Sequence, residues 1–372
     1  MTSEERRQAR YERRQAKRPP KPPQPTYDDT FTLHHLYRSY RLCIKGVGWK
    51  ASIQCFKVVA FSESVKLLDQ LRANKWKSKG FYEFNRMERG KLRHIKSVHI
   101  SERVVQRCLC DFGIIPTLTR HLIYDNGATI KKKGITFAHK RMRKHLADYA
   151  RRYGQEGYVA RYDIHDYFGS LPHEPLKALL REKIADDRLY RLTATLIDNF
   201  GDIGLGLGSQ VSQISAVLFL TEYDRYVVHR LRTNGYARYM DDGYAVCRTK
   251  DKALKVIQTL REWACKHQIE VNEKKCVVAP LSKGVVWLKT HYSVSKTGAI
   301  SKAPAKDSLR REKKRISTFV RWVSEGRRTM EIVTASVTAW KAGLADCEAA
   351  RQIAAIDRYL SAQCAKRGIE YG

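Results

Sequence analysis

The chain is poor in acidic residues. Its 372 residues include 38 Asp and Glu against 71 Lys and Arg, a formal net charge of +33. A basic excess of this size repels itself in a compact state unless an anion lies nearby. Nucleic acid is the simplest such anion, because every phosphate neutralised releases counterions. The chain also lacks an apolar run of the ~20 residues that a membrane-spanning helix needs. It has no apolar signal core at its N-terminus. Paired cysteines are missing as well. Cys43, Cys55, Cys108, Cys110, Cys247, Cys265, Cys276, Cys347 and Cys364 are scattered, odd in number and without a CxxC spacing. That pattern argues against a zinc site or a disulfide framework. It fits reduced core residues and a cytoplasmic setting without a membrane. No internal repeat is visible.

What the sequence does have is order along its length. Residues 1–28 form a basic arm with Arg6, Arg7, Arg10, Arg13, Arg14, Lys17 and Arg18, followed by Pro19-Pro20-Lys21-Pro22-Pro23. The prolines impose an extended, polyproline-like path. The arm reads equally well as a disordered tail or as a segment that binds RNA phosphates. Asp29 to Arg72 is amphipathic and helical. Short strands follow at Gly80–Phe84 and Arg93–Lys96, and a helix opens at Ser101. Lys140 to Tyr153 is a basic helix, Gly157 to Tyr162 an apolar strand, and Ala178 to Phe200 a helix. A glycine-rich loop, Gly201 to Gly208, leads into a long apolar helix from Val211 to Leu231. Tyr236 to Cys247 alternates as a hairpin, with Asp241-Asp242 at its turn. Ala253 to His267 is a helix, Val271–Pro280 and Val285–Ser295 are strands, and Ser308 to Gln363 is a helical bundle.

Two segments concentrate carboxylates next to apolar strands. One is Tyr158-Val-Ala-Arg-Tyr162-Asp163-Ile-His-Asp166-Tyr167-Phe168, in which Asp163 ends a strand. The other is Tyr239-Met240-Asp241-Asp242-Gly243-Tyr244. Two-metal phosphoryl transfer requires a few carboxylates held close together on rigid elements. An isolated Asp-Asp pair is more often a solvated turn. The combination with Asp163 favours chemistry.

In this order the segments resemble the motifs of reverse transcriptases. Tyr239-Met240-Asp241-Asp242 resembles the family's catalytic turn, and Asp163 to Phe168 resembles the motif with the remaining ligand. The resemblance implies that Asp163, Asp241 and Asp242 bind two Mg²⁺ ions. Phe168 resembles the aromatic that excludes a ribose 2′-hydroxyl, which implies dNTP substrates and a DNA product. Gly90-Lys91-Leu92-Arg93 resembles the segment that grips the incoming triphosphate, with Arg93 first and Lys91 second; a guanidinium fork suits phosphate oxygens. Leu207-Gly208-Ser209-Gln210-Val211-Ser212-Gln213 resembles the loop and helix start that cradle the nucleotide and template base. There Gly208, Ser212 and Gln213 are the candidate contacts. Asn272-Glu273-Lys274-Lys275 resembles a further motif whose lysine, best matched by Lys275, protonates the departing pyrophosphate. Val285-Val286-Trp287-Leu288-Lys289-Thr290 resembles the primer-grip strand, in which Trp287 reads as core packing beneath the hairpin in preference to a primer contact. Lys131, Lys132 and Lys133 read as template contacts or as exposed charge, and the sequence does not decide between them.

The implied fold is α+β, a right-hand polymerase with fingers, a palm built on an antiparallel sheet, and a helical thumb. The expected boundaries are 1–28 for the arm, 29–157 mainly fingers, 158–295 palm with interleaved fingers helices, and 296–372 thumb and tail. The implied partners are an RNA template or noncoding RNA, a DNA primer or product, and dNTPs. Most retroviral and intron enzymes of the family have Gln-Gly and Ser-Pro where this chain has Leu207-Gly208 and Ser212-Gln213. That departure resembles the bacterial enzymes of diversity-generating retroelements, which act with a small accessory protein. A defence-associated reverse transcriptase with a noncoding RNA is the second setting. A non-catalytic RNA-binding scaffold is the third, and the intact carboxylates argue against it.

Overall fold

The computed structural model describes residues 9, 22–88 and 91–371, apart from the side chains of Glu88, Lys91 and Arg93. Most of the basic arm therefore lies outside the described residues. The helices of eight residues or more are α1 (Leu33–Cys43), α2 (Ala51–Val58), α3 (Ala60–Arg72), α4 (Ile100–Cys108), α5 (Ile135–Tyr153), α6 (His173–Lys183), α7 (Asp187–Asp198), α8 (Gln210–Phe219), α9 (Lys250–Lys266), α10 (Lys306–Ser324), α11 (Met330–Ala342) and α12 (Ala350–Ala365). The strands are β1 (Phe81–Glu88), β2 (Lys91–Val98), β3 (Tyr158–Tyr162), β4 (Gly235–Tyr239), β5 (Asp242–Cys247), β6 (Val277–Pro280), β7 (Val285–Trp287), β8 (Thr290–Val294) and β9 (Ile300–Pro304). The α+β expectation holds. Among the described residues no helix is long and apolar enough to cross a membrane.

Helix starts follow local chemistry. The side chains of Thr32, Asp186 and Thr249 accept hydrogen bonds from the backbone amides of His35, Leu189 and Lys252, satisfying donors that the first turns of α1, α7 and α9 leave open. The cap at Asp186 explains one difference from the sequence reading. Ala178 to Phe200 is two helices, because Asp186 is extended and starts a new one.

The described residues fall into two compact units. One comprises the chain up to Arg120 with Lys177–Asn199 and Ser209–Val211. It contains α1 to α4, α7 and the antiparallel hairpin β1–β2. Leu36, Tyr40, Phe56, Leu67, Leu71, Val104 and Val105 are buried in it.

The other unit comprises His121–Leu176, Phe200–Gly208 and the chain from Ser212 onward. Its main sheet has the order β4-β5-β3-β6, and every pairing is antiparallel. Met142, Leu146 and Tyr149 of α5 pack with Val159, Tyr244, Val246, Trp287 and Tyr292. Trp287 is thus a core residue, as its sequence setting suggested. A separate apolar cluster of Ile316, Val320, Val333, Val337, Ile356 and Leu360 holds α10, α11 and α12 together.

Two expected strands are remodelled. Val271 to Pro280 is a strand only from Val277. Before it, Val271 bridges Ile164, and Glu273–Lys275 make a 3-10 turn. Val285 to Ser295 is a hairpin, because Leu288 and Lys289 both take positive φ (45° and 65°) and reverse the chain. Two-residue hairpin turns of this kind normally use Asn or Gly, so nothing in the sequence signalled it. Ile300–Pro304, assigned to the helical C-terminal region, adds β9 to that hairpin.

Candidate active site

The site is a product of strand register. Tyr162 pairs with Gly243 across β3 and β5, and Tyr239 pairs with Asp242 across β4 and β5. Carried one step beyond its last pair, β3 places Asp163 opposite Asp242. Met240 and Asp241 form the reversal between β4 and β5, with Met240 at a left-handed φ of 56°. Gly243 is required beside the turn: a Cβ there would lie 2.2 Å from the Tyr162 ring. Asp163, 78 residues before Asp241 in sequence, therefore meets the adjacent pair Asp241 and Asp242 at one end of the sheet.

Their electrostatics register the crowding. Burial, followed by the charge of Asp163, raises the carboxyl of Asp241 above its usual range. Asp242 is pushed up to about 7, first by burial; Arg161 opposes the shift, and the charges of Asp163 and Asp241 add to it. The Oδ1 atom of Asp242 is buried without a hydrogen-bond partner. Asp163 is buried too, at 8 % exposure, but both its oxygens are engaged. Lys275 Nζ donates to Oδ2 at 2.7 Å, and Asn272 Nδ2 donates to Oδ1 at 3.1 Å. Asn272 also donates its backbone amide to the Asp163 carbonyl, at 3.0 Å. The 3-10 turn carrying Lys275 is held from α9, where Arg261 grips Glu273 through two hydrogen bonds of 2.9 and 2.6 Å. Of the two candidate lysines in that motif, Lys275 is the one that reaches the carboxylates.

Sequence reasoning missed the support beneath the turn. Arg238 and Asp224 are both fully buried. Arg238 donates to both Asp224 oxygens, to the Val217 carbonyl at 2.9 Å and to the Met240 carbonyl at 2.7 Å. Tyr236 donates to Asp224 at 2.6 Å and meets the Tyr162 hydroxyl at 2.5 Å. The reversal at Met240 is thereby tied to the helical segment that follows α8. The signal was partial: Arg238 is the one charge between Tyr236 and Tyr239 in a buried strand, but Asp224 has Glu222 and Arg225 as near neighbours in sequence, and nothing local marks it as the partner. A lone charge on a core face needs an opposite one.

The glycine-rich loop meets the segment after β3. Leu205 donates its amide to the Phe168 carbonyl at 2.6 Å, and Gly204 donates to that of Leu171 at 2.8 Å. A Cβ on Gly204 would lie 2.7 Å from the Gly169 carbonyl oxygen, so only glycine permits this approach. Phe168 is half-buried. Gly208 is exposed at a φ of 105° with open space about its Cα. Ser212 is completely buried, whereas Gln213 is half-buried. Lys91 and Arg93 lie on β2 of the first unit; their side chains, like Gly90, lie outside the described set. Lys133 sits over the Tyr124 and Phe137 rings, 4.7 Å from each centroid, while Lys131 and Lys132 are exposed.

Among the described residues, no three His, Cys, Asp or Glu side chains are drawn together tightly enough to cage a metal ion as they stand. The donor set nevertheless suits a hard divalent cation. It offers carboxylate oxygens alone, holds Asp241 and Asp242 where burial, and then neighbouring negative charge, raises their carboxyls, and leaves Asp242 Oδ1 without a donor.

Residues 88–292 match the profile of the family described as reverse transcriptase (RNA-dependent DNA polymerase). No curated protein matches the chain by sequence. Similar solved structures include apo telomerase from Candida tropicalis truncated from its C-terminal domain, with 14% identity and a TM-score of 0.46 over 60% of this chain and 54% of that one. Telomerase from Candida albicans in complex with the TWJ fragment of telomeric RNA has 10% identity and a TM-score of 0.47, over 78% and 61% of the two chains. Apo telomerase from Candida tropicalis has 11% identity and a TM-score of 0.49, over 83% and 68%. The chain thus spans less than two thirds of the first two. The family profile covers more than half of the 372 residues and contains every carboxylate of the site, and the chain belongs to the reverse transcriptase family.

Proposed function

We propose that this chain copies RNA into DNA by two-metal nucleotidyl transfer, within a bacterial diversity-generating retroelement. The observation that carries the catalytic reading is the meeting of Asp163, Asp241 and Asp242 at one end of an antiparallel sheet, with their charges unbalanced. Members of the family generally use divalent metal ions. Two Mg²⁺ ions held by these three residues would activate the primer 3′-hydroxyl and neutralise charge on the triphosphate. The protein's own contribution is positioning, which is most of what phosphoryl transfer asks of an enzyme. Asn272 orients Asp163, Arg238 fixes the carbonyl at the turn, and Phe168 limits the space for a 2′-hydroxyl. Arg93 and Lys91 grip the triphosphate, and Gly208 and Gln213 bound the nucleotide, while Ser212, completely buried, does not reach it. In this reading residues 1–28 are an RNA-binding arm, 29–157 mainly fingers, 158–295 palm and 296–372 thumb. The basic thumb tracks duplex phosphates without reading sequence.

The setting is read from Leu207-Gly208 and Ser212-Gln213, with a template RNA and a small basic accessory protein as partners in the bacterial cytoplasm. The test is primer extension on an RNA template with dNTPs and Mg²⁺. The wild type extends, and the Asp241→Ala/Asp242→Ala double variant does not. Equal behaviour of the two defeats the enzyme reading. Sequencing the RNA and DNA that copurify decides the setting. Template-repeat cDNA supports the retroelement, and a recurrent noncoding RNA of constant length supports the defence role instead.

A further inference from the structure

Lys275 does something in this structure that a proton donor to pyrophosphate has no need to do. It neutralises Asp163 directly, at 2.7 Å. Three features make the contact look exchangeable. First, the lysine side chain is 49% exposed while its partner is 11% exposed. An ion pair with one solvated member is weak, typically at most about 1 kcal/mol, so it breaks without unfolding anything. Second, the backbone beneath it is held separately. Arg261 clamps Glu273, and Asn272 keeps both its side-chain and backbone bonds to Asp163. Release of Lys275 is then a rotamer change alone, with the Asp163 carboxylate still oriented. Third, Lys275 is the only cation that hydrogen-bonds to any of the three carboxylates among the described residues; Asp242 Oδ1 has no donor at all. The positive charge that the site lacks is supplied at one oxygen, by a half-exposed lysine side chain.

We propose that Lys275 is an internal stand-in for a divalent cation. Without nucleotide it occupies Asp163 Oδ2, and an incoming triphosphate draws it off towards phosphate oxygens and frees that oxygen for the metal. Cation and nucleotide then bind cooperatively, since each relieves the other's competition for Lys275, and the coupling is reciprocal. This goes beyond the polymerase reading, on which it rests, by assigning the order in which the site fills.

Mn²⁺ binding to the full chain, followed by electron paramagnetic resonance, tests the idea without turnover. Titrations are run with and without dATP, in the absence of primer. Lys275→Met is expected to bind Mn²⁺ roughly fivefold more tightly than wild type without dATP, the factor corresponding to a weak ion pair. It is also expected to gain less from dATP than wild type does. Lys274→Met removes the same charge one residue away and is expected to match wild type. Melting curves for each variant establish that the fold is intact. Unchanged or weaker Mn²⁺ binding by Lys275→Met overturns the proposal, as does equal tightening in Lys274→Met, which would reduce the effect to net charge. A wild type that extends RNA-templated primers yet shows no difference from Lys275→Met defeats the stand-in alone. A wild type that neither extends primers nor binds Mn²⁺ defeats the polymerase reading and the stand-in together.

Discussion

Arg238 and Asp224 form an ion pair at 2.6 Å with neither side chain exposed to solvent. Burying both charges is costly, and their mutual attraction compensates only because the remaining donors and acceptors are satisfied. Here they are. The guanidinium spans Asp224, Val217 and Met240, and Tyr236 completes the carboxylate. Asp224→Asn and Arg238→Met each leave one buried charge alone. Each should lower unfolding stability by about 3–5 kcal/mol, by urea denaturation. The double variant Arg238→Met/Asp224→Leu should be destabilised by less than the sum of the two. It should still lose primer extension, because nothing then holds the Met240 carbonyl. Additive losses would show that the two residues act separately.

Asp242 carries a pH signature. Its carboxyl is raised to about 7 in the fold, chiefly by burial, from an ordinary value of 3.8. Between those values the folded chain binds more protons than the unfolded one, so stability falls as pH rises through that window. Above it the full penalty of a buried charge applies. Asp242→Asn removes the penalty. Its metal-free Tm should exceed wild type by a few degrees at pH 8, on the order expected for a kilocalorie or two, and by less at pH 5. An equal difference at both pH values would refute this assignment.

His139 should act in the acid range. Burial, then the charge of Lys302, lowers its pKa from 6.5 to about 4, while its Nδ1 lies 2.5 Å from the Tyr292 hydroxyl. The unfolded chain therefore takes up a proton on this ring before the folded one does. Stability from this group is complete above pH 6.5 and is lost as pH falls towards 4. His139→Gln retains a polar partner for Tyr292 and cannot titrate. Its Tm should decline less than that of wild type between pH 7 and pH 4.5; parallel declines would exclude the role.

Phe168 should set the choice of sugar. The residue is half-buried, and its carbonyl is tied to the glycine-rich loop by the Leu205 amide. Phe168→Ala should raise the ratio of ribonucleotide to deoxynucleotide incorporation by at least tenfold, a change of about 1.4 kcal/mol in relative barrier. Competition between rNTP and dNTP in primer extension measures it. An unchanged ratio would reduce Phe168 to packing.

Gly243 should tolerate no side chain. Gly243→Ala places a methyl 2.2 Å from the Tyr162 ring. Overpacking of this kind typically costs about 1–3 kcal/mol, and here it would also push β3 away from β5. Chemical denaturation should show the loss, and primer extension should fall with it. A variant as stable as wild type would mean that Tyr162 moves freely.

The sequence by itself determined the chemistry. The carboxylates, the alternating strands that flank them and the family resemblance were all legible in local pattern, because strand alternation and turn residues are short-range properties. Helix caps at Thr32 and Thr249 are also local, but it was the structure that showed them. Other features depended on packing. Leu288 and Lys289 reverse the chain at positive φ without Asn or Gly, so tertiary contacts chose that turn over local preference. Lys275 was legible as a cation near the site, but its partner was not. Only the register of β3 with β5, and the turn anchored by Arg261, bring Lys275 to Asp163 rather than leaving it in solvent. Arg238 stands as an isolated charge in its strand, Asp224 lies among other charges, and the fold alone made them a pair. Long-range contacts carry no sequence signature of their own; they exist because a buried charge must find its complement and only one neighbour offers it.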